Sequence, residues 1–141
     1  MKSLCDINSI LPQQKPFVMV DALVEFSMEK ASTVTRVSPD NIFTDSHGFF
    51  SFYGLIENVA QTCAAKIGYY NKYILKKDVM IGVIGAIKNF KVKRFPQVGE
   101  TIVTTVTTIE DVFGMTLIRG DININNELIA DCEMKIAIYN K

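Results

Sequence analysis

Apolar residues recur along this chain with two different periods, and the change between them marks its organisation. In "VMVDALVEFS" and the following "KASTVTRVS", β-branched and apolar residues predominate, which predicts a strand and its hairpin partner. From about Tyr53 the spacing changes to threes and fours. Ile56, Val59, Ala60, Cys63, Ala64 and Ile67 then share one helix face, and the pattern persists to about Leu75. The small residues Ala60, Ala64 and Gly68 are expected to let that face approach a sheet closely. After "KKD" the chain reads as strands again: "VMIGVIGAIKNFKVKRF" up to Pro96, a "VGE" turn, "TIVTTVTTIEDV", then "MTLIRGDINI". Asn125 and Asn126 tolerate left-handed backbone and predict a tight hairpin. In the last strand Leu128, Ala130, Cys132, Met134, Ile136 and Ile138 fall on one face, with Asp131, Glu133 and Lys135 facing water opposite them.

Two segments have neither period. "DINSILPQQKPF" offers Asp6 or Asn8 as the cap of a single helical turn stopped by Pro12, and "PDNIFTDSHG" has the content of an irregular loop. One long helix early, followed by antiparallel strands, is an α+β plan with the sheet wrapped around the helix. No internal repeat or linker interrupts it, so residues 1–141 are expected to form one domain.

Composition narrows the function. Fifteen basic and fifteen acidic side chains cancel, so no bulk field draws the chain to nucleic acid or to a membrane surface. No apolar run has the length of a membrane span, and "MKSLCDINSI" lacks the apolar core of a signal peptide, so a cytoplasmic protein is expected. Cys5, Cys63 and Cys132 are odd in number and lack metal-ligand spacing; with a single histidine, no zinc site is expected.

That histidine, His47, stands in "SHGFFSFYGLIENVAQ", ten residues before Glu57 and in almost wholly apolar surroundings. An imidazole and a carboxyl near a greasy surface suit general acid–base chemistry, because burial raises a carboxyl pKa until it holds a proton to donate. A loop histidine facing solvent and a glutamate serving the helix dipole are the plain alternatives.

Four blocks carry a family resemblance. "ILPQQKPFVMVDALVEF", "IENVAQTCA", "IKNFKVKRFPQVGETI" and "NNELIADCEMKIAI" resemble, in order, blocks of the hotdog-fold 3-hydroxyacyl-acyl-carrier-protein dehydratases. The resemblance implies an antiparallel sheet wrapped around one central helix, and a homodimer with its active sites between subunits. It also implies substrates delivered on acyl carrier protein and chemistry without a metal or other cofactor. A loop histidine would remove the α-proton of a 3-hydroxyacyl thioester, and a glutamate of the other subunit's helix would protonate the departing hydroxyl. "ENVAQ" places Glu57 on that glutamate, and His47 is the candidate base. The family's spacing, counted back from Glu57, reaches Phe43 instead, and both prolines of the family loop are absent.

Gly48, Gly54 and Gln61 are candidates for the substrate site, as are Phe50, Phe52 and Tyr53. These three rings stand where the family carries prolines and smaller side chains, and either pack in the core or dimer interface or wall an acyl tunnel. Gln61, one turn from Glu57, is placed to orient its carboxyl. Lys88, Lys91, Lys93 and Arg94 are candidates for the carrier-protein contact. "SHGFF…IE" is also not far from the "HGG"-plus-acid arrangement of some hotdog thioesterases. A catalytically silent acyl-binding or partner subunit is the reading outside enzymology.

Overall fold

The computed structural model describes residues 2–78 and 81–139. A 3₁₀ turn (Ile7–Ser9) precedes strands β1 (Ala22–Phe26) and β2 (Lys30–Arg36), then helix α1 (Phe52–Tyr69) and a π-helical turn (Tyr70–Ile74). Strands β3 (Ile81–Val92), β4 (Thr101–Val112), β5 (Met115–Ile124) and β6 (Glu127–Tyr139) complete one antiparallel sheet in the order β1-β2-β4-β5-β6-β3. The α+β plan of sheet and single long helix is the one the periodicities predict. Val79 and Met80, read as the start of β3, lie outside the described residues, as does the side chain of Ile138.

Local chemistry sets the boundaries. The Asp6 carboxylate accepts from Asn8 N, capping the 3₁₀ turn as expected. Ser51 caps α1 by accepting from Gly54 N, so the helix begins a residue before the expected Tyr53. The helix does not run unbroken to Leu75. It loosens at Tyr70 into the π-turn, and Lys76, with φ 57°, ends it. Asn125 and Asn126, with φ 51° and 65°, make the expected hairpin between β5 and β6.

The first strand is shorter than its sequence predicts, because Met19 gives its backbone groups to helix side chains. Met19 N donates to Gln61 Oε1 at 2.7 Å, and Met19 O accepts from Asn58 Nδ2 at 2.8 Å. Sheet pairing therefore starts only at Ala22.

The buried helix face is also rotated from the expected one. Leu55, Val59, Cys63 and Ala65 are buried together with the polar Asn58, Gln61 and Thr62, whereas Ile56, Ala60, Ala64 and Ile67 are only half-buried. The cause lies in the sheet, whose inner face carries buried Thr33, Thr35 and Thr104. Asn58 Oδ1 accepts from Thr104 Oγ1, and its Nδ2 also reaches Thr35 Oγ1 at 3.2 Å. Thr62 donates to Asn58 O at 2.8 Å, so the 2.8 Å bond between Thr33 and Thr62 has Thr33 as donor. Polar groups buried at such a seam must be paired, and here they pair with one another.

Close approach comes from the sheet as much as from the helix. A Cβ on Gly120 of β5 would stand 2.6 Å from Val59 Cγ1, so that glycine is the notch for Val59, whose burial contributes about 1.5–3 kcal/mol. Gly68, expected to face the sheet, instead lies against the backbone of Ile10 in the N-terminal segment. In β6 the expected alternation holds from Ala130 to Ile136. A bulge opposite Ile122 and Asn123 then buries Ile129 and leaves Leu128 half-buried.

Candidate active site

Glu57 stands in the second turn of α1, with no acid in the first turn. It is therefore set back from the free N–H groups of the helix start, and a dipole role does not account for it. Its half-buried carboxylate lines a cavity of about 330 Å³ between the helix and edge strand β3, walled by Ala60, Ala64, Ile84 and Ile136. Gln61 Nε2 donates to Glu57 Oε2 at 3.3 Å, the contact that their spacing predicts. Gln61 itself is fully buried and spends its other bonds on the backbone of Met19 and on Phe17 O, the latter at 2.8 Å. It holds the carboxylate; it has no free end for a substrate.

Gln13 also lines this cavity, and its buried Oε1 has no hydrogen-bond partner among the described residues. This unpaired buried acceptor is the second polar group of the residues that line the cavity. Sequence reasoning passed over it although it lies inside the quoted block "ILPQQKPF".

His47 is in a different place. Its side chain is exposed and lines neither the Glu57 cavity nor the one beneath its own loop. The loop backbone, by contrast, is held firmly. The Asp45 carboxylate accepts from Phe49 N and His47 N, both at 2.9 Å, and Gly48, with φ 83°, makes the turn between them. These bonds, that of Phe49 N first, hold the Asp45 carboxyl below its ordinary value. Phe43, where the family's spacing lands, packs beside Gly54: a Cβ there would stand 2.9 Å from Phe43 Cβ and 2.6 Å from the Phe50 ring.

The aromatic run divides. Phe50 is a core residue that also borders the 530 Å³ cavity beneath the loop, together with Phe49, Phe52 and Phe95. Phe52 packs edge-on against Phe90 at 4.9 Å, and Tyr53 is exposed. Among the basic candidates, Lys88 and Lys91 stand in register opposite Glu133 and Asp131, and Arg94 forks onto Glu100 with two bonds of 2.9 Å. Lys93 lies just beyond β3 and is exposed.

Cys63 and Cys132 are free thiols pushed up to about 12 by burial, so neither offers a thiolate nucleophile at neutral pH. Among the described residues no three His, Cys, Asp or Glu side chains converge as a metal site, and no helix is long and apolar enough to cross a membrane.

A six-stranded antiparallel sheet with one long helix is the hotdog fold. The chain belongs to the ApeP-like dehydratase family, whose model (ApeP dehydratase) matches residues 5–140. It is similar to the 3-hydroxyacyl-[acyl-carrier-protein] dehydratase FabZ of Thermotoga neapolitana, 24% identical over 140 residues and 96% of each chain. With FabZ of Syntrophomonas wolfei it shares 28% over 140 residues, covering 94% of this chain and 93% of that one. Among solved structures, the dehydratase heterocomplex ApeI:P of Xenorhabdus doucetiae superposes with a TM-score of 0.90 at 15% identity, over 97% of this chain and 93% of that one. The PaaI protein of E. coli superposes at 0.65 and 12% identity, over 82% and 80%. At these identities the structural likeness establishes the fold.

Proposed function

We propose that this protein converts 3-hydroxyacyl thioesters carried on acyl carrier protein to trans-2-enoyl thioesters, in a site shared between two chains. The observation that carries the reading is Glu57, half-buried, fixed by Gln61 and lining the cavity it shares with Gln13, Ala60, Ala64, Ile84 and Ile136. In this reading His47 of a second copy takes the α-proton while the Cβ–O bond breaks, and Glu57 supplies the proton with which the hydroxyl leaves as water. The Cα–H electron pair becomes the new double bond. Gln13 Oε1 accepts from the substrate hydroxyl and so fixes the leaving oxygen beside Glu57. Pairing of two copies along β3 is supported by that edge strand's exposed Val83 and Ile87. Lys93, with Lys88, Lys91 and Arg94 around it, is the candidate contact for the acidic carrier.

A second reading has its own support. The His47 side chain is exposed, and the similar ApeI:P structure is a heterocomplex, so an unlike partner subunit could supply the base. The purified protein should be given crotonyl and 3-hydroxybutyryl thioesters on acyl carrier protein. Interconversion of the two without thiol release is expected, falling about 10²–10⁴-fold in Glu57→Gln with the fold retained by circular dichroism. Release of free thiol would make it a thioesterase. Inertness toward both thioesters would leave the unlike-partner reading.

A further inference from the structure

Along the C-terminal turns of α1 lies another cavity, of about 320 Å³, lined also by the β1–β2 connection and the β4–β5 hairpin. Its walls are apolar where Phe26, Met28, Ile67 and Tyr70 meet. Two nitrogen donors border it. Asn71 is only 5% exposed, yet its Nδ2 has no hydrogen-bond partner among the described residues. Protein interiors rarely leave such a donor empty. Lys66 is half-buried, and burial pushes its ammonium below the ordinary lysine value, with Cys63 and Asp111 opposing the shift. The Asp111 carboxylate, also on the cavity, already accepts from Thr116 Oγ1 at 3.3 Å. The buried donor without a partner there is Asn71 Nδ2, and Lys66 brings a second nitrogen donor to the same cavity.

We infer that this cavity is a second ligand site, which takes an apolar chain ending in a carbonyl or carboxylate oxygen, the oxygen placed between Asn71 Nδ2 and the Lys66 ammonium. The apolar walls exclude water from the chain, and the two donors fix its polar end, which is the usual division of labour in small-molecule sites. At about 30 Å³ per water in the liquid, the volume holds about ten non-hydrogen atoms, the size of octanoate. The site shares no lining residue with the Glu57 cavity and does not depend on the dehydratase reading.

The test is a titration of the full-length protein with octanoate, followed through the ¹³C-methyl signals of methionine and isoleucine. Saturable shifts at Met28 and Ile67 are expected, unchanged in Glu57→Gln and weakened at least tenfold in Asn71→Leu. Should Asn71→Leu fail to fold, Lys66→Met removes the other donor at similar length and is expected to weaken binding by a similar factor. No saturable binding overturns the inference. So do shifts centred on Ile84 and Ile136, or an affinity that both donor variants leave intact.

Discussion

The two groups proposed for chemistry are held in opposite ways. Glu57 is fixed by its own chain's interior: Gln61 bonds its carboxylate and is itself locked to residues 17–19 by two bonds under 3 Å. His47 has a firmly held backbone and an imidazole exposed on the surface. One chain therefore ties the proposed acid to its own interior and holds the proposed base only through its backbone. A hotdog chain built this way can be loyal to its own copy or can accept its base from a different subunit, without any change around the acid.

The largest effect that separates these cases is complementation. His47→Ala and Glu57→Gln chains, each expected to be nearly inactive alone, should recover activity when co-expressed. A mixed dimer pairs one intact histidine with one intact glutamate, so random assembly restores about a quarter of the wild-type rate. Steady-state turnover of the 3-hydroxyacyl thioester reads it. A His47→Ala protein as active as wild type would remove His47 from the chemistry and move the base to another residue or another subunit.

Next in size is the anchoring of the acid. Gln61→Met keeps the side-chain volume but leaves Met19 N–H and Phe17 O without their partner. It should cost about 2–4 kcal/mol, read as a lower denaturant midpoint with an unchanged slope. A polar residue at a helix edge would give a change within about 0.5 kcal/mol.

Gln61 also shows where the sequence could and could not be read. Its bond to Glu57 spans one helical turn and was predictable from spacing, as were the Asn125 and Asn126 hairpin and the α+β plan itself. These rest on neighbours in sequence or on simple periods. Its bonds to Phe17 and Met19 join positions more than 40 residues apart and leave no periodic trace. They shorten the first strand, and with Asn58 and Thr62 they rotate the buried face toward polar residues that hydropathy alone places outside. The Ser51 cap was legible by a local rule, since serine before an apolar helix start is a common N-cap. The sequence left His47 between facing solvent and facing a site, because a loop's outward face is decided by what packs beneath it, here Phe50 against Gly54.

The smallest effect asks whether the His47 loop is already shaped in the free chain. Asp45 is the gauge, because the N–H groups of Phe49 and then His47 hold its carboxyl below the ordinary 3.8. A carboxyl so depressed stabilises the folded loop above 3.8, and that stabilisation is lost as pH falls through the lower folded value. The carboxyl carbon of Asp45, assigned against Asp45→Asn, should therefore titrate below 3.8 in the isolated protein. Amide signals of His47 and Phe49 should move at that same midpoint, because the bonds that lower the pKa are the bonds that hold the turn. A midpoint at the ordinary value would mean that the turn forms only against a partner, and the base would then be shaped as well as completed by the second chain.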